Sequence, residues 1–440
     1  MAGIEKLGIS RAISAFNGYL DMAEQFLKIQ PVYYDEARNW WLWNDETNSW
    51  ELIDETDLLI EVDKAIRVAT TINPNEKSKI LEALRRVGRQ NKPEDLPKTW
   101  VQFKDTIVDI TTGNRYKPDP KYFTTNPIPW KVGESEATPN IDRILTEWVG
   151  EENTTTLHEI IAYCLLSDYF LHRMFCFVGS GLNGKSKYLE LLSRFVGYNN
   201  RCSTELDILL NSRFEVTKLY KKLVCIMGET NINILNKTSL IKRLCGQDTI
   251  GYEFKNKTPF NDYNYAKILI ATNSLPATSD KTDGFYRRWL IIDFPNRFSE
   301  KKDILADIPD QEYENLAKKS ISTLRQLLER REFTNEGTLE QRQERYESRS
   351  NPLCTFINEE CVKNPAYEVP FWKFYDEFVV YSQEKGHRII SRELTGRILK
   401  AEGFEKGLQN NERIIRGLQL KNQEIPQQLN VLNDNNVLPT

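Results

Sequence analysis

The sequence predicts an α/β protein. Its mainly parallel sheet is covered by helices on both faces and carries a phosphate-binding loop; a small α+β region precedes it and a winged-helix pattern follows it. Three observations predict this. Gly179-Ser-Gly-Leu-Asn-Gly-Lys-Ser186 satisfies the pattern G-x-x-x-x-G-K-S. An apolar run of strand length, Met174–Val178, precedes it, and Lys187–Phe195, with apolar residues at helical spacing, follows it. Further apolar runs at Leu223–Met227, Lys267–Asn273 and the end of Asp283–Pro295 alternate with helical stretches, the pattern of a parallel sheet.

In chain order, Ile9–Ile29 has helical periodicity. Val32–Ile53 alternates aromatic and polar residues around the turn Asn44-Asp45-Glu46-Thr47-Asn48, which predicts a hairpin or small sheet. Its tryptophans read as the core of a small domain, with base stacking as the competing use. Asp57–Ala69 and Glu76–Val87 read as helices, Trp100–Ile110 as a strand and Lys117–Pro139 as a loop. Helices are expected at Ile141–Val149 and Leu157–Tyr169, at Thr238–Cys245 after the second core strand, and at Leu316–Arg331. Thr249–Tyr265 is polar and aromatic without helical period, and the charged stretch Arg342–Arg349 reads as a linker or exposed helix. Cys354–Cys361, Phe371–Lys385 and Arg392–Lys400 read as three helices and Gly407–Leu420 as a hairpin, which together give the winged-helix pattern. The expected domains are 1–150, 151–335, a linker over 336–350, the winged helix over 351–420 and a disordered tail over 421–440.

The chain has 440 residues, 40% hydrophobic and 11% aromatic, enough for two or three domains with real cores. A net charge of −4 excludes an all-round basic surface, so any nucleic-acid contact must come from local patches. Seven cysteines without a C-x-x-C pair read as reduced thiols, and three histidines without metal-ligand spacing leave His158 a structural role. No signal peptide or membrane-spanning run is visible, and a cytoplasmic protein is expected.

The loop carries the chemistry. Glycines at 179, 181 and 184 let the backbone curl so that its N–H groups face a phosphate, and the following helix adds the positive end of its dipole. Lys185 can reach the β- and γ-phosphates and Ser186 can hold Mg²⁺. At the end of the second core strand, Glu229 is the available acid for Mg²⁺ and the attacking water, since position 228 is Gly. Asn273 closes the third strand, where a polar side chain faces the ligand crevice. Arg287 and Arg288 are either surface charges or, in a ring, groups that reach a neighbour's γ-phosphate.

The ordered set G-S-G-L-N-G-K-S, L-V-C-I-M-G-E-T-N, K-R-L-C-G-Q-D-T-I, K-I-L-I-A-T-N and G-F-Y-R-R-W-L-I-I-D-F resembles superfamily III helicases, most closely the poxvirus-type primase–helicases of phages, plasmids and large DNA viruses. The likeness spans about Val32 to Leu420. It implies an AAA+-like motor, a hexameric ring, ATP and Mg²⁺ as cofactors, and 3′→5′ unwinding of DNA. Asn183 matches the family's Asn before Gly-Lys-Ser. Lys185 and Ser186 match the phosphate lysine and magnesium serine, Glu229 the acid, Asn273 the sensor, and Arg288 the arginine finger with Arg287 as its competitor. Lys257, with Lys255 close by, falls where the family carries the lysine of a DNA-gripping pore hairpin, although Glu253 stands where an arginine is common. In the winged-helix segment, Arg392, Arg397 and Lys400 form a basic helix face suited to duplex phosphates. No acidic pairs of a primase polymerase site precede the motor, which leaves priming to a separate primase or polymerase. Single-stranded DNA in a pore, a fork or an origin duplex is the expected partner, with no membrane. The alternatives are an origin-binding initiator and a DNA-packaging or remodelling ATPase.

Overall fold

The computed structural model describes residues 18–66, 74–179, 181–228, 234–235, 237–255, 257–298, 303–384, 389–409 and 412–421. They fall in two compact units, the first within 1–272 and 278–343, the second within 273–277 and 344–440. The N-terminal region and the central sheet share the first unit, whereas the sequence reading divides them at residue 150.

Helix α1 (Tyr19–Ile29) is the described part of the helix expected over 9–29. Strands β1 (Val32–Tyr34), β2 (Trp40–Asn44) and β3 (Ser49–Ile53) then form an antiparallel meander. The Asn44 side-chain oxygen accepts from the backbone N–H groups of Glu46 (2.8 Å) and Thr47 (3.3 Å), which fixes the β2–β3 turn. Period-two alternation sends Trp40 and Leu42 toward α1, α2 (Glu55–Ile66) and α3 (Pro74–Gln90). Trp41 and Trp43, with Trp50, pack on the other face with Tyr33, Phe123 and Tyr220. All four tryptophans are buried, so they are core side chains and not a stacking platform. Trp50 Nε1 donates to the carbonyls of Pro120 (3.1 Å) and Tyr122 (3.0 Å), tying the meander to the segment that follows.

That segment contains β4 (Glu94–Asp95), β5 (Trp100–Gln102), β6 (Ile107–Asp109), β7 (Arg115–Tyr116) and β8 (Tyr122–Phe123). The single strand expected over 100–110 is a hairpin. Polar Lys104-Asp105-Thr106 breaks it, and Phe103 N–H donates to the Thr106 carbonyl at 2.8 Å. Helices α4 (Pro139–Val149) and α5 (Glu151–Tyr163) meet at Gly150, whose φ of 78° only glycine adopts without strain. The helix expected over 157–169 is therefore shifted toward the N-terminus, opened by the acidic first turn Glu151-Glu152. His158 has the structural role expected: its Nε2 lies 2.8 Å from Asp142, which also accepts from Lys319 at 2.6 Å, joining α4, α5 and α10.

The central sheet is built from β9 (Met174–Val178), β10 (Arg201–Ser203), β11 (Val224–Met227), β15 (Lys267–Thr272) and β17 (Trp289–Asp293). All are parallel, in the order β10-β11-β15-β9-β17. Every residue of β9 and β15 is buried, as strands covered on both faces must be. Between them lie α6 (Lys185–Val196), α7 (Leu206–Asn211), β12 (Ile234–Leu235), α8 (Thr238–Leu244), the hairpin β13 (Thr249–Tyr252) and β14 (Phe260–Tyr263), β16 (Ala277–Thr278) and α9 (Asp283–Tyr286). Helix α10 (Asp310–Arg330) starts earlier than the expected residue 316, with Asp310 and Glu312 in its first turn. Glu312 also caps α4, accepting from the backbone of Asn140 (3.1 Å) and Ile141 (3.2 Å). Of the two readings of the charged stretch, linker or exposed helix, the structure has the helix, α11 (Leu339–Ser350), but with Arg342 buried and paired to Glu336 at 2.9 Å.

Lys267, at the start of β15, is fully buried. Its ammonium donates to the Leu166 carbonyl and lies 5.0 Å from the Tyr163 ring centroid and 5.7 Å from that of Tyr169. Burial pulls its pKa down to about 8, against the opposing charges of Cys164 and Asp168. In unfolded chains the lysine pKa is about 10.4, so between these values the unfolded state binds the extra proton and stability rises with pH. The stability of the wild type relative to Lys267→Met is expected to increase between pH 8 and about 10.4, by on the order of 3 kcal/mol, in paired denaturant titrations. A gap constant with pH defeats this assignment.

The second unit contains α12 (Pro352–Glu360), β18 (Cys361–Pro370), α13 (Phe371–Glu384), α14 (Arg392–Ala401), β19 (Glu405–Gln409) and β20 (Glu412–Leu420). The sheet order is β18-β20-β19, antiparallel. The sequence reading lacks β18, because Pro365 and the polar run around it break alternation. The strand keeps its pairing through a register shift between Lys363 and Glu368. Leu353, Phe356, Phe374, Phe378, Leu399, Ile415 and Leu418 form this unit's core.

Candidate functional site

The loop between β9 and α6 is fixed at both edges. Gly179 N–H donates to the Thr272 carbonyl at 3.3 Å, placing the loop beside the carboxyl end of β15. The chain leaves β9 for the far strand β10, works inward through β11 and β15, then places β17 on the other side of β9. The loop thus stands at the carboxyl edge where the direction of winding changes, the position of ligand crevices in open α/β sheets.

Each motif residue has a local reason. A β-carbon on Gly179 would collide with the Asn183 amide nitrogen and lie 2.6 Å from the Phe294 carbonyl. The Asn183 amide donates to that same carbonyl at 3.1 Å and so ties the loop to the end of β17. Gly181 (φ 100°) and Gly184 (φ 93°) are left-handed; a β-carbon on Gly181 would meet open space, whereas one on Gly184 would strike Trp148. Lys185 is buried, and its Nζ donates to the Gly179 carbonyl (2.6 Å) and Asn183 Oδ1 (3.0 Å). Ser186 is exposed in the first turn of α6. That helix has no acidic residue in its first turn and no side-chain cap, so the positive end of its dipole is not offset by its own sequence. A cation at an open, glycine-curled helix N-terminus fits polyphosphate.

Glu229, the sequence-predicted acid for metal and water, lies outside the described residues; Gly228 before it follows β11. Asn273 follows the last residue of β15. It opens the segment 273–277 of the second unit, where Leu275 N–H donates to Arg349 (3.2 Å) and Pro276 accepts from the Tyr346 hydroxyl (2.8 Å). Among the described residues no three His, Cys, Asp or Glu side chains are grouped to hold a metal ion.

Arg288 and Arg287 differ sharply. Arg288 is buried, bonded to the Gly284 carbonyl, and its pKa is pulled down by burial and then by Arg287. Its backbone carbonyl accepts from Met174 N–H at 2.7 Å, which puts it at the amino end of β9, opposite the loop. Arg287 is exposed.

The hairpin β13–β14 carries Lys255 and Lys257, both exposed. Lys257 Nζ reaches Asn39 Oδ1 at 3.2 Å. Glu253 pairs with Arg213 at 3.2 Å, and its backbone exchanges hydrogen bonds with the Thr217 hydroxyl. In the second unit, Arg392 pairs with Asp376 at 3.3 Å and lies over the Tyr375 ring, Arg397 pairs with Glu393, and Lys400 is exposed. Exposed pairs of this kind contribute about 0.2–1 kcal/mol. Trp148, against the loop, and Asn296, which bonds to α4 beside it, carry no motif signal; Phe294 ends the motif G-F-Y-R-R-W-L-I-I-D-F, but only the structure shows its carbonyl holding Asn183.

Comparison with known proteins gives two family matches. Residues 23–150 match "D5 N terminal like", and residues 177–288 match a family of unknown function, DUF5906. The chain is 26% identical over 146 residues to the protein named "Putative helicase L207/L206" of Acanthamoeba polyphaga mimivirus. That match covers 32% of this chain and 15% of the viral protein. The apo structure of the NrS-1 C terminal region superimposes with a TM-score of 0.51 at 15% identity, covering 92% of this chain and all of that one, which shows a shared fold. The sequence matches support a relationship to D5-like viral helicase proteins. Among the described residues no helix is long and apolar enough to cross a membrane.

Proposed function

We propose that this chain is a Mg²⁺-dependent ATPase that unwinds DNA, in the 3′→5′ direction and as a hexameric ring, during replication of a virus, phage or plasmid-like element. The observation that carries the reading is Lys185, held inside a glycine-curled loop at an acid-free helix N-terminus on the carboxyl edge of a parallel sheet. The sheet supports an AAA+-like core. The α12-β18-α13-α14-β19-β20 order supports a winged helix. The viral relative's name supports unwinding over packaging.

In this reading ATP supplies the anhydride whose cleavage drives movement. Lys185 and the loop N–H groups from Gly179 to Gly184 hold its phosphates, and Ser186 and Glu229 hold Mg²⁺. Glu229 also orients the attacking water, with Asn273 as a second polar group. Arg287, being exposed, is the better candidate to reach a neighbouring protomer, and Arg288 shapes the turn that presents it. Lys255 and Lys257 grip a single strand.

The test is displacement of a labelled strand from forked DNA by the full chain with ATP and Mg²⁺. ATP turnover without displacement sinks unwinding, and a single-copy mass in the presence of ATP and DNA sinks the ring. For the α14 face, Arg397→Ala and Lys400→Ala are each expected to weaken duplex binding at all sequences alike. Each lowers the slope of log K against log salt by about 1, read by anisotropy across a salt series. An unchanged slope removes that face from the DNA.

A further inference from the structure

We infer that Trp148, which lies before the phosphate loop in sequence and outside its motif, is the positioning residue of that loop; the inference deepens the nucleotide-binding part of the reading above. Trp148 lies in the last turn of α4, is buried, and sets its indole against the backbone of Gly184, where an added β-carbon would fall 2.5 Å from Nε1 and 2.7 Å from Cγ. Gly184 is the residue from which α6 starts, so the ring fixes the point where loop becomes helix. Around the indole, Tyr188 of α6 meets it edge-on at 6.5 Å and Phe294 lies tilted at 6.4 Å.

A strap over 294–298 closes the same arrangement. The Phe294 carbonyl accepts from the Asn183 amide, the Asn296 amide donates to the Glu147 carbonyl at 2.7 Å, and Phe298 N–H donates to the Leu182 carbonyl at 2.7 Å. Three consecutive loop residues, Leu182, Asn183 and Gly184, are thus held by α4 and by the strap that bonds to α4. Leu182 itself has a positive φ of 52°, a conformation that needs such outside support. A loop whose donors already point inward loses little freedom when an anion arrives, so the support acts on affinity.

The experiment measures the ATP dissociation constant by calorimetry and the melting temperature by circular dichroism, on the full chain. Trp148→Ala is expected to weaken ATP binding about tenfold or more, and Trp148→Phe to recover most of it. Trp50→Ala removes an equally buried indole away from the loop; it lowers the melting temperature and leaves ATP affinity at the wild-type value. Asn296→Ala, at an exposed position that does not threaten folding, is expected to weaken binding about threefold. Wild-type affinity in Trp148→Ala, or an equal loss in Trp50→Ala, overturns the inference. If Trp148→Ala does not fold, wild-type affinity in Asn296→Ala overturns it. A wild type that binds ATP without hydrolysing it defeats the proposed enzyme and leaves the affinity comparison intact; one that binds no ATP ends both.

Discussion

Replacing Lys185 with alanine is expected to lower ATP turnover by about 10²-fold or more, because it removes the loop's own cation from the place where phosphate charge develops. The effect is local. Lys185 donates to the Gly179 carbonyl and to Asn183 Oδ1, and alanine leaves both acceptors without it. A buried acceptor deprived of its donor costs about 1–3 kcal/mol, which a chain of this size withstands. The melting transition should therefore move by a few degrees while phosphate release collapses. Turnover within tenfold of wild type, in a folded variant, would sink the assignment of this loop as the hydrolytic site.

Gly184→Ala is expected to damage the loop severely for the addition of a single methyl group. Two costs coincide. The left-handed backbone at φ 93° disfavours any β-carbon by about 1–2 kcal/mol. The indole of Trp148 leaves no room for one, which adds about 1–3 kcal/mol of overpacking. Together they give about 2–5 kcal/mol, in denaturation or in lost ATP affinity according to whether the ring or the loop yields. Adding Trp148→Ala to Gly184→Ala should return the steric part and not the backbone part. The pair is then non-additive by about 1–3 kcal/mol in a double-mutant cycle. Strict additivity would mean that the ring and the glycine do not confront each other.

The parts of the fold that could be read from the sequence are those in which one physical rule acts alone. Met174–Val178 and Ile268–Ala271 are unbroken apolar runs, and β9 and β15, which contain them, match the sequence reading nearly to the residue. Trp40, Trp41, Trp43 and Trp50 read as a small domain's core, and all four are inside, shared between the two faces of the meander. Where a partner elsewhere in the chain decides, the sequence is silent. Strand β18 contains a proline and exposed polar residues, and it exists because β20 offers a pairing edge around a bulge. Short β10, with no residue buried, is held by β11. Arg342 reads as a solvated charge of a linker or exposed helix until Glu336 is seen beside it in a buried pair.

The candidate site divides in the same way. Asn183, Gly184 and Lys185 are placed by a contiguous motif whose spacing encodes its own geometry. Arg287 and Arg288 are adjacent in sequence and equivalent to a pattern, and only the packing of α9 separates the exposed one from the buried one. Lys257 and Asn39 meet across more than two hundred residues, a contact no periodicity signals.

The placement of β15 between β9 and β11 has a metric consequence. Neighbouring strands run about 4.8 Å apart, so the tips of β9 and β11 are held about 10 Å from one another. A carboxylate side chain spans only about half of that gulf. An acid projecting from the β11 tip would therefore meet a terminal phosphate through a bridging solvent molecule or ion rather than head-on. The width of one polypeptide ribbon sets how large that intermediary can be.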